Sequence, residues 1–330
     1  MKTHRIVLAS RPTGLVTPDN FRLETIELPP LTDGKLLVRN DWLSLDPYMR
    51  GRMNEGRSYA QPQPLGETMV GGTAGEVIES RHPKFKPGDK VVGYFGWQEA
   101  ALSDGTGLMK VDTTHVPLSA YLGTVGMPGV TAWYGLNKII EPKAGETIAV
   151  SAASGAVGGV VGQLAKLAGC RAVGIAGGAD KCKYVVEELG FDACIDYKSQ
   201  DVAKALKDAA PNGIDGYFEN VGGAMMDAVL PRMNAFGRIA LCGLIAGYNG
   251  APIPIANPTW FLVSRLKLQG FIVTEHMELW PQALKELGTG VAAGKIKYRE
   301  TVAEGLANAP QAFIGLLAGR NFGKQLVKLV

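Results

Sequence analysis

The chain has 330 residues, 46% hydrophobic and 20% charged, a length that suggests about two domains with a sizeable core. Its 34 basic and 31 acidic residues leave a formal charge of +3 with no run of like charge, which argues against a dedicated nucleic-acid or membrane-surface binder. The 43 glycines are roughly twice the usual share, yet they follow no Gly-X-Y period, and the apolar content is too high for a disordered chain.

The opening MKTHRIVLASRPTG lacks an apolar core long enough for a signal peptide, and no stretch of about 18 apolar residues follows. Cys170, Cys182, Cys194 and Cys242 form no C-x-x-C pair, so a cytoplasmic protein without a disulfide framework is expected. In the first third, IVLA, FRLETIEL, KLLVRNDWLSLD, TAGEVIES and DKVVGYF read as short strands between Pro/Gly/Asp turns, a β-barrel-like module. MPGVTAWYGLNKII then has helical spacing. Strands ETIAVSA, RAVGIAG, ACIDY, GIDGYFENVG and GRIALCG alternate with helical segments, which predicts an α/β unit with a doubly wound parallel sheet. Strand KLQGFIV, helix MELWPQALKELGTGVAAG, strand KYRETV, a last helix and GKQLVKLV complete the chain.

The segment TIAVSAASGAVGGVVGQLAKLAG runs an apolar strand into Ala153-Ser154-Gly155-Ala156-Val157-Gly158, where a helix, GAVGGVVGQLAKLAG, is expected to begin at once. It resembles the dinucleotide fingerprint with Ala153 in the first glycine position. Gly155 would let backbone approach a pyrophosphate, and Gly158 would let the helix pack against the sheet. The phosphates would sit on the helix N-terminus, over Gly155, Ala156, Val157 and Gly158. The competing reading is a structural Gly-rich helix. About twenty residues on, where an NAD site carries Asp or Glu, the chain has Ala176-Gly177-Gly178-Ala179-Asp180-Lys181. An absent acid and a nearby cation favour NADP(H), although Lys181 also reads as a solvated first-turn lysine.

His4, His82, His115 and His276 are scattered, and the first half has no cysteine, so no zinc ligand set is expected. No G-x-S-x-G occurs, which leaves a nucleophile-elbow hydrolase without support. Cys242 follows the apolar run IAL and reads as a packed residue at a strand end.

LSLDPYMRGRM, MPGVTAWYGL, AASGAVG, GFDACIDY, YFENVGG, LCGLIAGYN, GFIV, GKIKYRE and GRNFGKQLVKL occur in this order. As a set they resemble the zinc-independent medium-chain reductases, in the branch of prostaglandin, alkenal/one and curcumin reductases. The resemblance implies a GroES-like catalytic domain over 1–124, completed by 295–330, and a Rossmann domain over 125–294 with NADPH in the cleft. It implies a homodimer, no metal, and no nucleic-acid or membrane partner. Lys181 matches the family lysine at the 2′-phosphate, while Gly178 replaces a serine. Tyr197, Asn220, Cys242, Gly243, Ile245, Tyr248, Phe271, Ile272, Val273 and Asn321 match further cofactor contacts, although Tyr197 and Phe271 read on their own as packing residues.

The implied reaction is hydride transfer from NADPH to the β-carbon of an α,β-unsaturated ketone or aldehyde. Charge then develops on the carbonyl oxygen, which needs a hydrogen-bond donor. Tyr248, between Gly247 and Asn249-Gly250, is the expected donor, with the cofactor ribose hydroxyl able to share the role; its other reading is a packed turn tyrosine. Tyr48 and Tyr59 are expected walls of the substrate pocket, and Arg50 and Arg52 are expected to be structural or solvated. Quinone reduction, alcohol oxidation and a non-catalytic NADPH-binding scaffold stay open as alternatives, since one architecture hosts several chemistries.

Overall fold

The first strand, β1 (Lys2–Leu8), pairs antiparallel with β2 (Phe21–Glu27) and sends Ile6 and Leu8 into the interior. β3 (Leu36–Ser44) is the hub of a second sheet; beyond its end, Pro47 stands at the N-cap of the one-turn helix α1 (Tyr48–Arg52). β4 (Thr73–Ser80) pairs with β3, β5 (Lys90–Gly93) with β4, and two short strands the sequence reading missed, β6 (Ala100–Ser103) and β7 (Met109–Lys110), extend it.

Helix α2 (Met127–Tyr134) opens a different layer, and its expected continuation to Ile140 winds as a π-helical segment over Gly135–Ile140. The alternation then unfolds as read: β8 (Thr147–Ser151), α3 (Gly158–Leu167), β9 (Arg171–Ala176), α4 (Ala179–Glu187), β10 (Ala193–Asp196), α5 (Val202–Ala209), β11 (Ile214–Glu219), α6 (Ala224–Val229) and β12 (Met233–Leu241). Next come α7 (Thr259–Val263), β13 (Lys267–Gly270) and α8 (Trp280–Ala292). All six strands are parallel, in the order β10-β9-β8-β11-β12-β13. That order reverses between β8 and β11, and an open α/β sheet binds its ligand outside the carboxyl ends of the strands at such a reversal. The expected strand KLQGFIV stops at Gly270, and Val273–Glu275 forms a 3₁₀ turn instead. The following helix starts at Trp280, with Pro281 in its first turn, rather than at Met277.

The chain returns to the sheet built on β3 with β14 (Glu300–Glu304), α9 (Ala309–Leu317) and β15 (Lys324–Lys328). β15 lies between β14 and β3, which gives the order β14-β15-β3-β4-β5-β7, with β6 on β3. Under it Trp97 stacks on Phe21 with ring centroids 5.2 Å apart and meets the edge of Phe313 at 5.7 Å. The computed structural model describes residues 1–330 and divides into two units, residues 1–123 with 300–330 and residues 124–299. The first has the GroES-like architecture and the second the Rossmann architecture. No helix is long and apolar enough to cross a membrane.

Candidate active site

In the Rossmann unit, β8 is buried along its whole length and ends at Ser151. Residues 152–157 form a turn, so α3 begins at Gly158 and not directly after the strand. Ala152 adopts a left-handed backbone (φ 50°), and its carbonyl accepts the Gly155 N–H at 2.9 Å. A Cβ on Gly158 would lie 2.5 Å from that same carbonyl oxygen, a separation real Cβ atoms do not tolerate. Glycine at 158 is therefore what lets α3 start this close to the turn. Gly159 N–H donates to Gly155 O and Val160 N–H to Val157 O, both at 3.0 Å, and the helix dipole adds positive potential at this end of α3.

The next crossover carries the second group of residues. β9 ends at Ala176, and Gly178 (φ 108°) leads into α4. The Tyr197 hydroxyl stands over Gly177, 2.7 Å from where a Cβ would be. Asp196, at the end of β10, is fully engaged: Oδ1 accepts Gly178 N–H at 2.7 Å and Lys198 N–H at 3.0 Å, and Oδ2 accepts the Ser199 hydroxyl at 2.8 Å. The Gly178 N–H, followed by Ser199 and Lys198, holds this carboxyl below its ordinary range. One oxygen thus ties Lys198 to the start of α4. Burial, and then the charge of Lys198, pull the Lys181 ammonium below its ordinary value.

The ends of β11 and β12 form the third group. Asn220 donates its side-chain amide to Ser151 O at 2.8 Å. Cys242 and Gly243 donate their N–H groups to Glu219 O at 2.9 and 3.1 Å. Burial and the Glu219 charge push the Cys242 thiol up to about 12, which leaves it protonated and not nucleophilic at neutral pH. Ile245–Gly247 forms a 3₁₀ turn, and Tyr248 N–H closes on Ile245 O at 3.2 Å. The Tyr248 hydroxyl lies 3.3 Å from the position of a Cβ on Gly243. Phe271 packs against Tyr134 and Phe218, with centroids 5.4 and 6.2 Å away; Ile272 precedes the 3₁₀ turn and Val273 is buried.

In the GroES-like unit, Tyr48 opens α1. Burial, then Asp46 and Tyr94, push its phenol well above the ordinary value. Tyr59 is largely exposed. Asp46 and Lys324 form a buried ion pair at 2.5 Å; Lys324 also donates to Leu45 O at 2.7 Å, and the Ser44 hydroxyl donates to Asp46. Arg50 is buried and donates to Gly14 O at 2.8 Å and Asn54 Oδ1 at 2.6 Å, which makes it structural as expected. Asn321 donates to Gly323 O at 2.8 Å and so braces its own turn.

Residues 4–111 match the family described as the N-terminal domain of oxidoreductase, and residues 156–289 match the family described as zinc-binding dehydrogenase. The chain is 48% identical to the NADPH-dependent curcumin reductase of Escherichia coli, over 99% of this chain and 97% of that protein. It is 43% identical to the NADP-dependent 2-alkenal reductase of Nicotiana tabacum, over 98% and 96%. The chain belongs to the medium-chain dehydrogenase/reductase family. Among solved structures, CurA from Vibrio vulnificus in complex with NADPH superposes with a TM-score of 0.94 at 47% identity, covering 99% of each chain.

For this medium-chain reductase, the donor set fits an NADP(H) dinucleotide. The helix start at Gly158 accepts close backbone approach, and the Lys198 charge acts on Lys181. Asp196, the only acid among these contacts, has both oxygens engaged and is no free reader of a ribose hydroxyl. Sequence reasoning missed Lys198, although it directly follows Tyr197 in IDYK. No group of three or more His, Cys, Asp or Glu residues is arranged to hold a metal ion.

Proposed function

We propose that this reductase saturates the C=C bond of α,β-unsaturated ketones and aldehydes with NADPH. The observation that carries the reading is the glycine turn at the sheet reversal together with the Lys181–Lys198 pair, in a chain close to an alkenal and a curcumin reductase. Bound there, NADPH supplies a hydride. Gly155, Ala156, Val157 and Gly158 hold the pyrophosphate, and Lys181, Lys198 and Tyr197 hold the 2′-phosphate. Asn220, Cys242, Gly243, Ile245, Phe271, Ile272, Val273 and Asn321 complete the dinucleotide site.

Tyr248 donates its phenolic hydrogen bond to the carbonyl oxygen as charge develops there. Such a donor contributes most when it is already oriented before the reaction. Tyr48 and Tyr59 wall the substrate, and solvent delivers the α-carbon proton. The same reading places the enzyme in the cytoplasm, as a homodimer joined through the free edge of β13.

NADPH consumption followed in parallel with an aliphatic enone, an alkenal and a quinone tests this reading. Consumption with the first two and a saturated carbonyl product are expected. An allylic alcohol as product, or turnover with the quinone alone, overturns it. Tight NADPH binding without consumption by any acceptor points to a binding scaffold.

A further inference from the structure

Glu219 has a fully buried carboxylate that the proposed chemistry does not use. It ends β11, beside the point where the strand order reverses. Its Oε1 accepts the Ser151 hydroxyl at 2.7 Å and the Val221 N–H at 2.6 Å, and its Oε2 accepts the Tyr217 hydroxyl at 2.8 Å. Burial and the neighbouring carboxylate hold the Tyr217 phenol well above its ordinary value, so it stays protonated and donates. The three donors are two hydroxyls and an amide, with no cation among them. A buried carboxylate in this position is costly, and an apolar side chain would fill the space.

What the carboxylate fixes is the backbone of residues 219–221. Ser151 Oγ, held by Glu219, accepts Asn220 N–H at 2.8 Å, which latches the end of β8 to the end of β11. The latched segment presents three successive carbonyls. Glu219 O accepts Cys242 N–H and Gly243 N–H, Asn220 O accepts Ile245 N–H at 3.2 Å, and Val221 O accepts Ala246 N–H at 3.0 Å. None of Ile245–Gly247 is buried, so these hydrogen bonds rather than packing place the turn. Tyr248 follows directly, closing on Ile245 O.

We infer that Glu219 is a positioning residue for Tyr248: it fixes the carbonyl row on which the loop from Cys242 to Tyr248 hangs, and it affects the reaction through that loop. The inference rests on Tyr248 as the donor to the substrate carbonyl. Because Glu219 acts as an acceptor, Glu219→Gln, which keeps Oε1, preserves the latch, and Glu219→Leu, with no acceptor, releases it.

Amide hydrogen exchange, NADPH affinity by fluorescence and enone turnover are measured for E219L, E219Q, Y248F and the double variant E219L/Y248F. In E219L, exchange at Cys242, Gly243, Ile245 and Ala246 is expected to accelerate at least about tenfold, with β12 unchanged. Turnover falls about tenfold or more while NADPH affinity stays within about threefold, and E219Q returns both readouts to near the parent. The double variant loses no more than the worse single one, because the two residues act in series. Multiplying losses, unaltered exchange in the loop, or a glutamine variant as damaged as the leucine one each overturn the role of Glu219 alone. A silent Y248F removes the Tyr248 assignment and the inference with it. If E219L does not fold, S151A breaks the same latch with the carboxylate intact and carries the same cycle.

Discussion

At the scale of single residues, the proposed selectivity of the cofactor site rests on two ammonium groups. Lys181 lies in the first turn of α4 and Lys198 follows β10, and one Asp196 oxygen joins the backbone of Lys198 to that of Gly178, which leads into the helix. The Lys198 charge disfavours the Lys181 ammonium, and a phosphate dianion bound beside Lys181 would offset that effect. Lys198→Met is therefore expected to weaken NADPH binding about tenfold while leaving NADH binding within about twofold, since only NADPH carries the 2′-phosphate. Titration by cofactor fluorescence at low salt checks this. Equal losses for both cofactors would make Lys198 a fold residue and not a reader of phosphate. Of this arrangement the sequence disclosed Lys181, through its position after a strand end without an acid. Lys198 was hidden because its contribution depends on β10 lying beside β9, a pairing that links residues about twenty positions apart.

At the scale of elements, alternation and buried runs made β8 through β12 and their helices legible, because a strand covered on both faces is apolar throughout. Boundaries were less legible: the sequence pattern begins α8 at Met277 and α3 at Gly155, whereas Pro281 fits the first turn of a helix that starts at Trp280 and Gly158 starts α3. The π-helical segment at Gly135–Ile140, the short β6 and β7, and the end of β13 at Gly270 depend on neighbours in space, and local pattern carried none of them. The nucleotide turn gives the strictest element-level test. Gly158→Ala inserts a Cβ against the carbonyl of Ala152, which is backbone and has no rotamer to yield. The start of α3 must shift away from the turn. NADPH affinity is expected to drop at least about tenfold, and stability by about 1–3 kcal/mol, the usual range for overpacking. Paired fluorescence and thermal measurements read both effects, and an alanine variant with parent affinity would show that α3 tolerates the displacement.

At the scale of the whole molecule, the GroES-like unit is discontinuous in sequence: β15 must travel from the C-terminus to pair with β3. The Asp46–Lys324 pair joins these distant segments in the buried interior, with Lys324 also capping the carbonyl of Leu45. Burial pulls the Lys324 ammonium below its ordinary value while Asp46 pushes it back, so the pair is held against its desolvation by mutual attraction. Removing one member leaves the other charge without a counterion. Lys324→Met is expected to cost about 3–5 kcal/mol, because Asp46 then stays buried beside the Ser44 hydroxyl alone. Asp46→Asn combined with Lys324→Met removes both charges and is expected to recover a good part of that loss, since a neutral amide needs far less solvation than a carboxylate. Urea unfolding of the parent, the single variant and the double variant measures the difference. A double variant as unstable as K324M would show that the lost contact to Leu45 O, and not the stranded carboxylate, carries the cost. Recovery would identify the pair as a registry device that makes the closing strand specific for its place, at little net gain over an apolar substitute.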